Sequence, residues 1–390
     1  YVNNGQTYIM EFCDRYLGKL YTKLLAQKII DKVMVRSFIN ADEFFKEQDL
    51  ELVPVENGLL NIFTRELEEF TPDKIFFNKL PVIFDKHAIC PATLAHFQKV
   101  LNGENDIRLM QELYGSILYR KYKFEKAFVF YGKGRNGKGK TMDQLGALIG
   151  DDNHCNISLE DLGKKHFMLS QLHRKMAILA GEIGNARLDD TKVFKMLTGQ
   201  DILTADVKFK DPVTFKNYAK AIFCANEIPD TCDDSDGFWS RWVLIGFTKK
   251  FIPELEYREH EKNGTLKDHY RIMDPNMPEK LQAKEEMSGV LNWALEGLAR
   301  LFRNGGFSNT DSIGEVRMIW RRKASSAIAF MADHLERSYN IEDDWIDSEE
   351  LYEIYIKYCQ LHDLRPEESR QFKKMMINEK FISKRTKENG

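Results

Sequence analysis

Short apolar runs alternate with stretches of helical spacing through the middle of the chain. The runs that fit buried strands cover residues 127–131, 176–180, 219–224 and 242–247. Strands that alternate with helices are typical of a mostly parallel sheet with helical layers on its faces. The pattern therefore predicts an α/β domain, to which we assign residues 126–310.

The part of the chain before this domain, residues 1–125, is mostly helical in pattern. An extended patch over residues 58–85 interrupts it, with turn signals at Asn57-Gly58 and Thr71-Pro72-Asp73. Apolar residues then recur at helical spacing over residues 92–122, up to the first strand of the α/β domain. We expect a separate helical N-terminal domain.

After the core strands, residues 287–304 form a strongly amphipathic pattern that two glycines close, which predicts a helix. Residues 322–390 fit three short helices, over 325–339, 348–362 and 366–378, followed by the strand-like FISKRT. This order is typical of a winged helix. From Arg365 onward, eight basic residues stand against four glutamates, which fits nucleic-acid contact or a solvated face of an interaction domain.

Composition narrows the class of protein. A chain of 390 residues favours two or three domains. Since it lacks a long apolar stretch and a signal peptide, we expect no membrane partner and a cytoplasmic location.

The net charge of the chain is -3, which excludes a broadly basic surface but does not exclude a ring of subunits that gathers lysines in one channel. The spacing of the six cysteines does not match that of a zinc site, and we expect them to be reduced thiols. A first residue other than Met predicts a fragment of a longer protein.

The most informative segment is a glycine-rich turn between a predicted strand and a predicted helix. Residues 129–141 read VFYGKGRNGKGKT. Glycines let the backbone approach phosphates and adopt positive φ, the first amides of a helix bind an anion, and a lysine places positive charge between the outer phosphates. A surface loop with solvated lysines is the alternative, but the flanking strand and helix patterns favour a nucleoside triphosphate site.

Two alignments of this loop fit the phosphate-loop pattern. In the first, the loop begins at Gly132 and Lys138 is the phosphate lysine, so Gly139 stands where Ser or Thr usually contacts Mg²⁺. The second is shifted along the chain and makes Lys140 the phosphate lysine, followed by Thr141. We favour the first because its loop directly follows the strand; Mg²⁺ then contacts Thr141, a water or another residue. The candidate nucleotide-binding residues are Gly132, Gly134, Asn136, Gly137, Lys138, Gly139, Lys140 and Thr141.

Two later strands end in polar side chains suited to the same site. Glu182 follows the run over residues 176–180, where a carboxylate can polarise water or hold Mg²⁺. Asn226 follows the run over residues 219–224 and can bind a γ-phosphate, although Asn also commonly marks a turn. A surface Glu after an ordinary strand is the alternative for Glu182, and the phosphate loop upstream argues against it.

Arg241 lies in the segment GFWSRW, a turn that leads into the last predicted core strand. A guanidinium there can reach the γ-phosphate of a neighbouring subunit, as an arginine finger does. A structural ion pair is an equally good interpretation of Arg241 alone.

Lysine and aromatic residues alternate at Lys208, Phe209 and Lys210, just before Asp211-Pro212. This pattern predicts a hairpin that binds nucleic acid, with ammonium groups on phosphates and a ring on sugar or base. An ordinary hairpin with outward lysines fits as well.

The order of these segments resembles superfamily 3 helicases, and more closely the helicase half of phage, plasmid and poxvirus-type primase-helicases. The resemblance covers most of the chain. The family loop GxGxNGK corresponds to residues 132–138, which favours Lys138 as the phosphate lysine, while Gly139 replaces the usual Ser or Thr. By the same resemblance, Glu182 matches the acidic motif with one carboxylate rather than two, and residues 195–212 match the DNA-contacting insertion.

The resemblance implies an AAA+-like P-loop core with a helical N-terminal domain and a winged-helix-like C-terminal domain. It implies an ATP-dependent DNA helicase of viral or plasmid replication, hexameric, moving 3′→5′ on single-stranded or forked DNA. A primase-polymerase domain is expected in the same full-length chain. ATP and Mg²⁺ would bind between subunits, with Thr141 and Glu182 as candidate metal ligands, Asn226 as sensor and Arg241 as the neighbour's finger.

Two other functions fit part of the same pattern. One is a replication-initiator or packaging ATPase that binds DNA without processive unwinding. The other is a P-loop kinase of a small molecule, which the winged-helix-like tail and the arginine finger argue against.

Overall fold

The structure is a computed structural model that describes residues 5–37, 49–164, 166–183, 187–207, 210–308, 310–336 and 345–381. These residues fall into two compact units. The first comprises the chain up to residue 49 together with residues 71–75, and the second comprises residues 50–70 and all residues from 76 onward. Within the described ranges, none of the helices has the length and apolar character needed to cross a membrane.

The described part of the first unit contains two α-helices, α1 over Gly5–Leu17 and α2 over Lys23–Arg36. Thr22 precedes α2, and its hydroxyl accepts a hydrogen bond from the amide of Leu25 at 3.1 Å. This bond satisfies one of the amides that a helix start leaves free. The separate helical N-terminal domain expected over residues 1–125 stays a prediction.

The second unit contains the other elements. Its strands are β1 Leu52–Val55, β2 Gly58–Asn61, β3 Leu67–Glu68, β4 Ala127–Tyr131, β5 His154–Cys155, β6 Ala177–Ala180, β7 Ile202–Val207, β8 Lys210–Lys216, β9 Lys220–Ala225, β10 Trp242–Gly246, β11 Lys250–Ile252 and β12 Tyr270–Ile272. Its helices are α3 Pro91–Val100, α4 Glu104–Leu118, α5 Lys138–Ile149, α6 Leu159–Lys164, α7 Lys192–Thr198, α8 Asp236–Trp239, α9 Glu254–Lys262, α10 Met277–Leu281, α11 Lys284–Asn304, α12 Ile313–Ala324, α13 Ser326–His334, α14 Ser348–Leu361 and α15 Ser369–Asn378.

Five strands form the central parallel sheet, in the order β10-β4-β9-β6-β5. The four predicted apolar runs are β4, β6, β9 and β10, with small differences at their ends. Phe128, Val129 and Phe130 of β4 are fully buried, because helices cover both faces of a parallel sheet, and the run therefore does not alternate with polar residues. The predicted α/β class with a parallel sheet is confirmed. The edge strand β5 was not predicted, since two residues are too few for a pattern.

Helices α4 and α11 cross where each has a glycine. A Cβ added to Gly115 would lie 2.4 Å from the carbonyl oxygen of Ala294, and one added to Gly297 would lie 2.1 Å from that of Gln111. Any larger residue would force the helices apart. The crossing packs the segment before β4 against the helix predicted at residues 287–304, which is α11 and ends at Gly305 with φ 70°.

Two N-terminal expectations need correction. The helical spacing over residues 92–122 is two helices, α3 and α4, because the chain turns at Gly103 with φ 147°. The extended patch begins earlier than predicted, at Leu52, and its last strand ends at Glu68. Residues 69–85 contain no strand, and Pro72 and Pro81 in this segment have no amide hydrogen to donate to a sheet.

The C-terminal helices α13, α14 and α15 lie within the predicted ranges and share a core, although α13 ends at His334 and α15 begins only at Ser369. The rings of Tyr355 and Phe372 stack with centroids 4.4 Å apart, and Phe330 packs beside them. Of the strand-like segment FISKRT, residues 382–386 lie outside the described residues. The winged helix therefore stays a prediction.

Candidate nucleotide site

The glycine-rich loop joins the carboxyl end of β4 to the first turn of α5. Three of its residues have positive φ, namely Gly132 at 146°, Arg135 at 60° and Gly137 at 94°. Gly132 also packs tightly, because an added Cβ would lie 2.2 Å from the carbonyl oxygen of Phe247. Since α5 begins at Lys138, its first free amides face the loop, as anion binding requires.

The two candidate lysines occupy different surroundings. Lys138 is 6% exposed, and its Nζ donates to the carbonyl of Gly132 and to Oδ1 of Asn226, at 3.1 Å for the latter. Burial lowers the pKa of Lys138, while the Cys224 thiol and the Glu182 carboxylate act in the opposite direction. Lys140 is exposed and pairs with Asp143 on the same helix at 3.0 Å. The geometry favours the alignment in which Lys138 is the phosphate lysine.

The hydrogen bonding of Lys138 continues through Asn226 to Glu182, at the carboxyl ends of the strands. The Asn226 amide Nδ2 donates to Oε1 of Glu182 at 2.9 Å. Both residues are exposed, and they follow the carboxyl ends of β9 and β6. The parallel sheet thus brings together three residues that the sequence pattern assigned to one site. An ammonium, an amide and a carboxylate in this order can bind phosphate and polarise a water.

A cavity of about 300 Å³ opens at this edge. Its lining residues are Gly134, Arg135, Asn136, Gly137, Lys138, Gly139, Lys140, Gly181, Cys224 and Asn226. Gly134 and Gly139 have open space where a Cβ would stand. A larger cavity of about 610 Å³ lies elsewhere, between the core and the C-terminal helices, and includes Arg187, Asp230 and Arg317.

Asn136 holds the loop in place and is buried. Its Nδ2 donates to the carbonyl of Phe247 at 3.0 Å, and its Oδ1 accepts from the amide of Lys138 at 3.5 Å. Because Phe247 directly follows β10, Asn136 ties the loop to the neighbouring strand.

Thr141 lies inside the protein, beneath the loop. Its side chain is fully buried, its hydroxyl donates to the carbonyl of Gly137 at 3.2 Å, and it lies 3.1 Å from Nε2 of His96. His96 comes from α3 and was not anticipated, since a histidine within an apolar helix pattern gives no signal of its own. The described residues contain no cluster of three or more His, Cys, Asp or Glu that could hold a metal. Glu182 is the carboxylate next to Asn226. Its role as a ligand of Mg²⁺, which commonly binds few protein ligands together with waters and phosphate oxygens, stays a prediction.

Arg241 lies at the amino ends of the parallel strands, whereas the glycine-rich loop lies at their carboxyl ends. It immediately precedes β10, whose first residue Trp242 pairs with Ala127 at the start of β4. Its guanidinium donates to the carbonyl of Gly237 and lies 3.7 Å from the Glu125 carboxylate. Its Nε is buried without a hydrogen-bond partner among the described residues. Arg241 therefore does not contact the cavity of its own chain.

The predicted hairpin is present as β7 and β8, an antiparallel pair that forms its own two-stranded sheet. Along the chain, this pair lies between β6 and β9. Lys208 and Phe209 lie outside the described residues, and of Lys210 only the backbone is described. Lys195, which the resemblance placed at the start of the DNA-contacting insertion, pairs with Asp233 at 2.8 Å. Burial alone would raise the pKa of Asp233, but hydrogen bonds from Lys195, Ser235 and Thr191 hold it below its usual range.

Comparisons with known proteins show what this chain is similar to. Residues 130–241, from β4 to Arg241, match a family described as a family of unknown function, DUF5906. Two viral proteins, each named "Putative helicase", are similar over a longer range. The one from Acanthamoeba polyphaga mimivirus is 26% identical over 74% of this chain and 31% of its own length. The one from Sputnik virophage is 24% identical over 83% of this chain and 42% of its own length.

The expected resemblance to viral helicases is confirmed by these two relatives. The chain spans less than half the length of these relatives. Among solved structures, the apo C terminal region of NrS-1 is 16% identical, covers 71% of this chain and 64% of its own chain, and has a TM-score of 0.44. A score of this size is too low to establish a shared fold.

Proposed function

We propose that this chain is the motor part of an ATP-dependent DNA helicase of viral replication. The main support is the hydrogen-bonded series Lys138, Asn226 and Glu182 at the mouth of the phosphate loop. These three residues come from separate segments and have the chemistry of phosphate binding, phosphate sensing and water activation. Similarity to proteins named as helicases supports a helicase role over other uses of a phosphate loop.

In this proposal, the loop amides over residues 132–138 and the Lys138 ammonium bind the outer phosphates of ATP. Mg²⁺, when bound, neutralises charge on the phosphate oxygens. Glu182 supplies a carboxylate for the metal or for the attacking water. Asn226 is close enough to both Lys138 and Glu182 to respond when a γ-phosphate enters or leaves.

The ring arrangement rests on Arg241. This residue lies at the amino ends of the strands, away from the cavity of its own chain. Contact between Arg241 and a bound nucleotide therefore requires the nucleotide of a neighbouring subunit. We therefore propose a homo-oligomeric ring, hexameric and moving 3′→5′ by family resemblance, in which the β7–β8 hairpin contacts single-stranded DNA. A primase-polymerase domain in the full-length chain is a further proposal that rests on resemblance alone.

A forked duplex with one labelled strand tests the proposal. ATP-dependent strand displacement that Glu182→Gln abolishes is the expected result. ATP hydrolysis stimulated by single-stranded DNA, without displacement, would instead indicate an initiator or packaging ATPase. Phosphate transfer to a small molecule with no effect of DNA would indicate a kinase.

A further inference from the structure

Lys133, in the phosphate loop, contacts the C-terminal helices rather than the cavity. Its Nζ donates to the carbonyl oxygen of Asp363 at 2.5 Å and lies 3.4 Å from that of His362. Both carbonyls belong to residues 362–364 at the end of α14, here called the α14 turn. Lys133 is not among the residues that line the cavity.

The α14 turn attracts cations for a physical reason. The last carbonyls of a helix carry partial negative charge, and a nearby cation stabilises them. Helix α14 has no basic residue in its own last turn, so Lys133 supplies that charge from the phosphate loop. Asp363 has a left-handed backbone with φ 54°, a conformation common where a helix ends.

A second lysine binds the same turn through a different group. Nζ of Lys267, from the segment between α9 and β12, lies 3.5 Å from the Asp363 carboxylate. Lys133 therefore holds the backbone of the turn, and Lys267 holds its side chain. The two contacts can be removed separately.

We propose that Lys133 couples the phosphate loop to the C-terminal helices, so that nucleotide binding changes the stability of the α14 turn. This inference rests on the proposed function, because it requires a nucleotide in the loop. Lys133 lies between Gly132, which packs against Phe247, and Gly134, which has open space around it. A triphosphate that orders the loop backbone changes where the Lys133 side chain can reach. The order of motifs along the sequence shows no such link between the nucleotide and the tail.

Hydrogen exchange measured by mass spectrometry on the whole chain tests the coupling. The amides of His362 and Leu364 report on the turn, since they donate to the carbonyls of Tyr358 at 3.0 Å and Cys359 at 2.8 Å. Lys133→Met should speed exchange in residues 359–367 roughly three- to tenfold without nucleotide, as expected when an exposed charged hydrogen bond is removed. Lys192→Met, which removes an exposed lysine at the start of α7, outside the loop, should leave this segment unchanged.

A non-hydrolysable ATP analogue provides the second arm. It should alter exchange at residues 359–367 in the wild type, in Lys192→Met and in Asp363→Asn, but not in Lys133→Met. Asp363→Asn removes the Lys267 pair while keeping the carbonyls and a residue tolerant of left-handed φ.

The outcomes separate the two proposals. If the analogue fails to protect residues 132–141, the proposed nucleotide site is wrong. Protection of the loop with no change at residues 359–367 in the wild type would overturn the coupling. Faster exchange in Lys133→Met that spreads equally over α13 and α15 would also overturn it, because that pattern indicates general loosening of the tail.

Discussion

Nζ of Lys138 and Oδ1 of Asn226 lie 3.1 Å apart, although 88 positions separate the two residues along the chain. Because the same amide donates to Glu182, Lys138 and the Glu182 carboxylate are connected through one side chain. In the proposed function, a γ-phosphate that binds Lys138 would compete with Asn226 for the ammonium. The Asn226 amide would then be free to bind the phosphate, which would also change the hydrogen bonding of Glu182.

Substitution of the two loop lysines tests the alignment of the loop. Lys138→Ala should reduce ATP hydrolysis at least about a hundredfold, since it removes a buried cation aimed at the phosphates. Lys140→Ala should retain most of the activity, because Lys140 is exposed and pairs with Asp143. Steady-state hydrolysis with both proteins checked for folding by circular dichroism decides between them. The reverse order of activities would support the alignment that begins at Gly134.

Gly139 stands where the resembling loops have a Ser or Thr, and a substitution can add that hydroxyl. It lies in the first turn of α5 with no atom within 4 Å of an added Cβ, so Gly139→Ser should fold normally. The new hydroxyl stands where the family places its metal-contacting residue, and we expect the Mg²⁺ concentration for half-maximal hydrolysis to fall several-fold. Gly134→Ser, equally open but outside the helix, is the matched control. Equal effects of both substitutions would contradict the prediction.

The sequence predicted the parallel sheet and the residues at its carboxyl edge because both depend on local signals. An unbroken apolar run predicts a strand such as β4, and a polar residue after it marks the strand end, as at Glu182 and Asn226. The break between α3 and α4 was missed, since helical spacing continued on both sides of Gly103. Contacts such as His96 with Thr141 depend on long-range packing, and no residue pattern along a single sequence specifies which helix covers the loop.

Mixed rings test whether Arg241 acts on a neighbouring subunit. Arg241→Ala and Glu182→Gln should each abolish hydrolysis alone. In a one-to-one mixture of subunits that exchange randomly, about a quarter of the interfaces combine an intact Glu182 with an intact Arg241. Hydrolysis should therefore return to a measurable fraction of wild type. Mixtures that assemble, as judged by light scattering, yet stay inactive at every ratio would count against action in trans and favour a structural ion pair with Glu125.

His96 makes stability depend on pH. Burial, together with nearby Lys99, lowers the pKa of His96 from 6.5 to about 4. Between these two values the unfolded chain binds a proton that the folded chain does not, so the free energy of unfolding decreases as the pH falls through this window. Above the window, the protonation of His96 causes no such decrease. Across the whole window, the decrease amounts to about 3 kcal/mol. Denaturant unfolding at pH 7 and pH 5 should show this decrease in the wild type and in His87→Gln, an exposed control. His96→Gln should be less sensitive to the change in pH.

The β7–β8 hairpin is the predicted DNA contact, and its position in the chain allows a specific test of that prediction. It lies between the strand that leads to Glu182 and the strand that leads to Asn226. Changes at the γ-phosphate can therefore reach it from both sides. The double substitution Lys208→Ala/Lys210→Ala should stop unwinding and remove stimulation of hydrolysis by DNA, while basal hydrolysis stays near wild type. Removing one lysine–phosphate interaction should lower the salt dependence of single-strand binding by about 0.7 in log–log slope.

The double substitution Lys373→Ala/Lys374→Ala is the matched control, because it removes the same charge from helix α15 in the tail. It should weaken DNA binding without abolishing unwinding, since these lysines are not inserted between the strands of the catalytic residues. Strand displacement at several salt concentrations, measured beside binding, separates the two effects. Unimpaired unwinding by the hairpin variant, together with failure of the tail variant, would place the moving DNA contact on the C-terminal helices. In that case the contact between Lys133 and Asp363 becomes the route by which the nucleotide drives it.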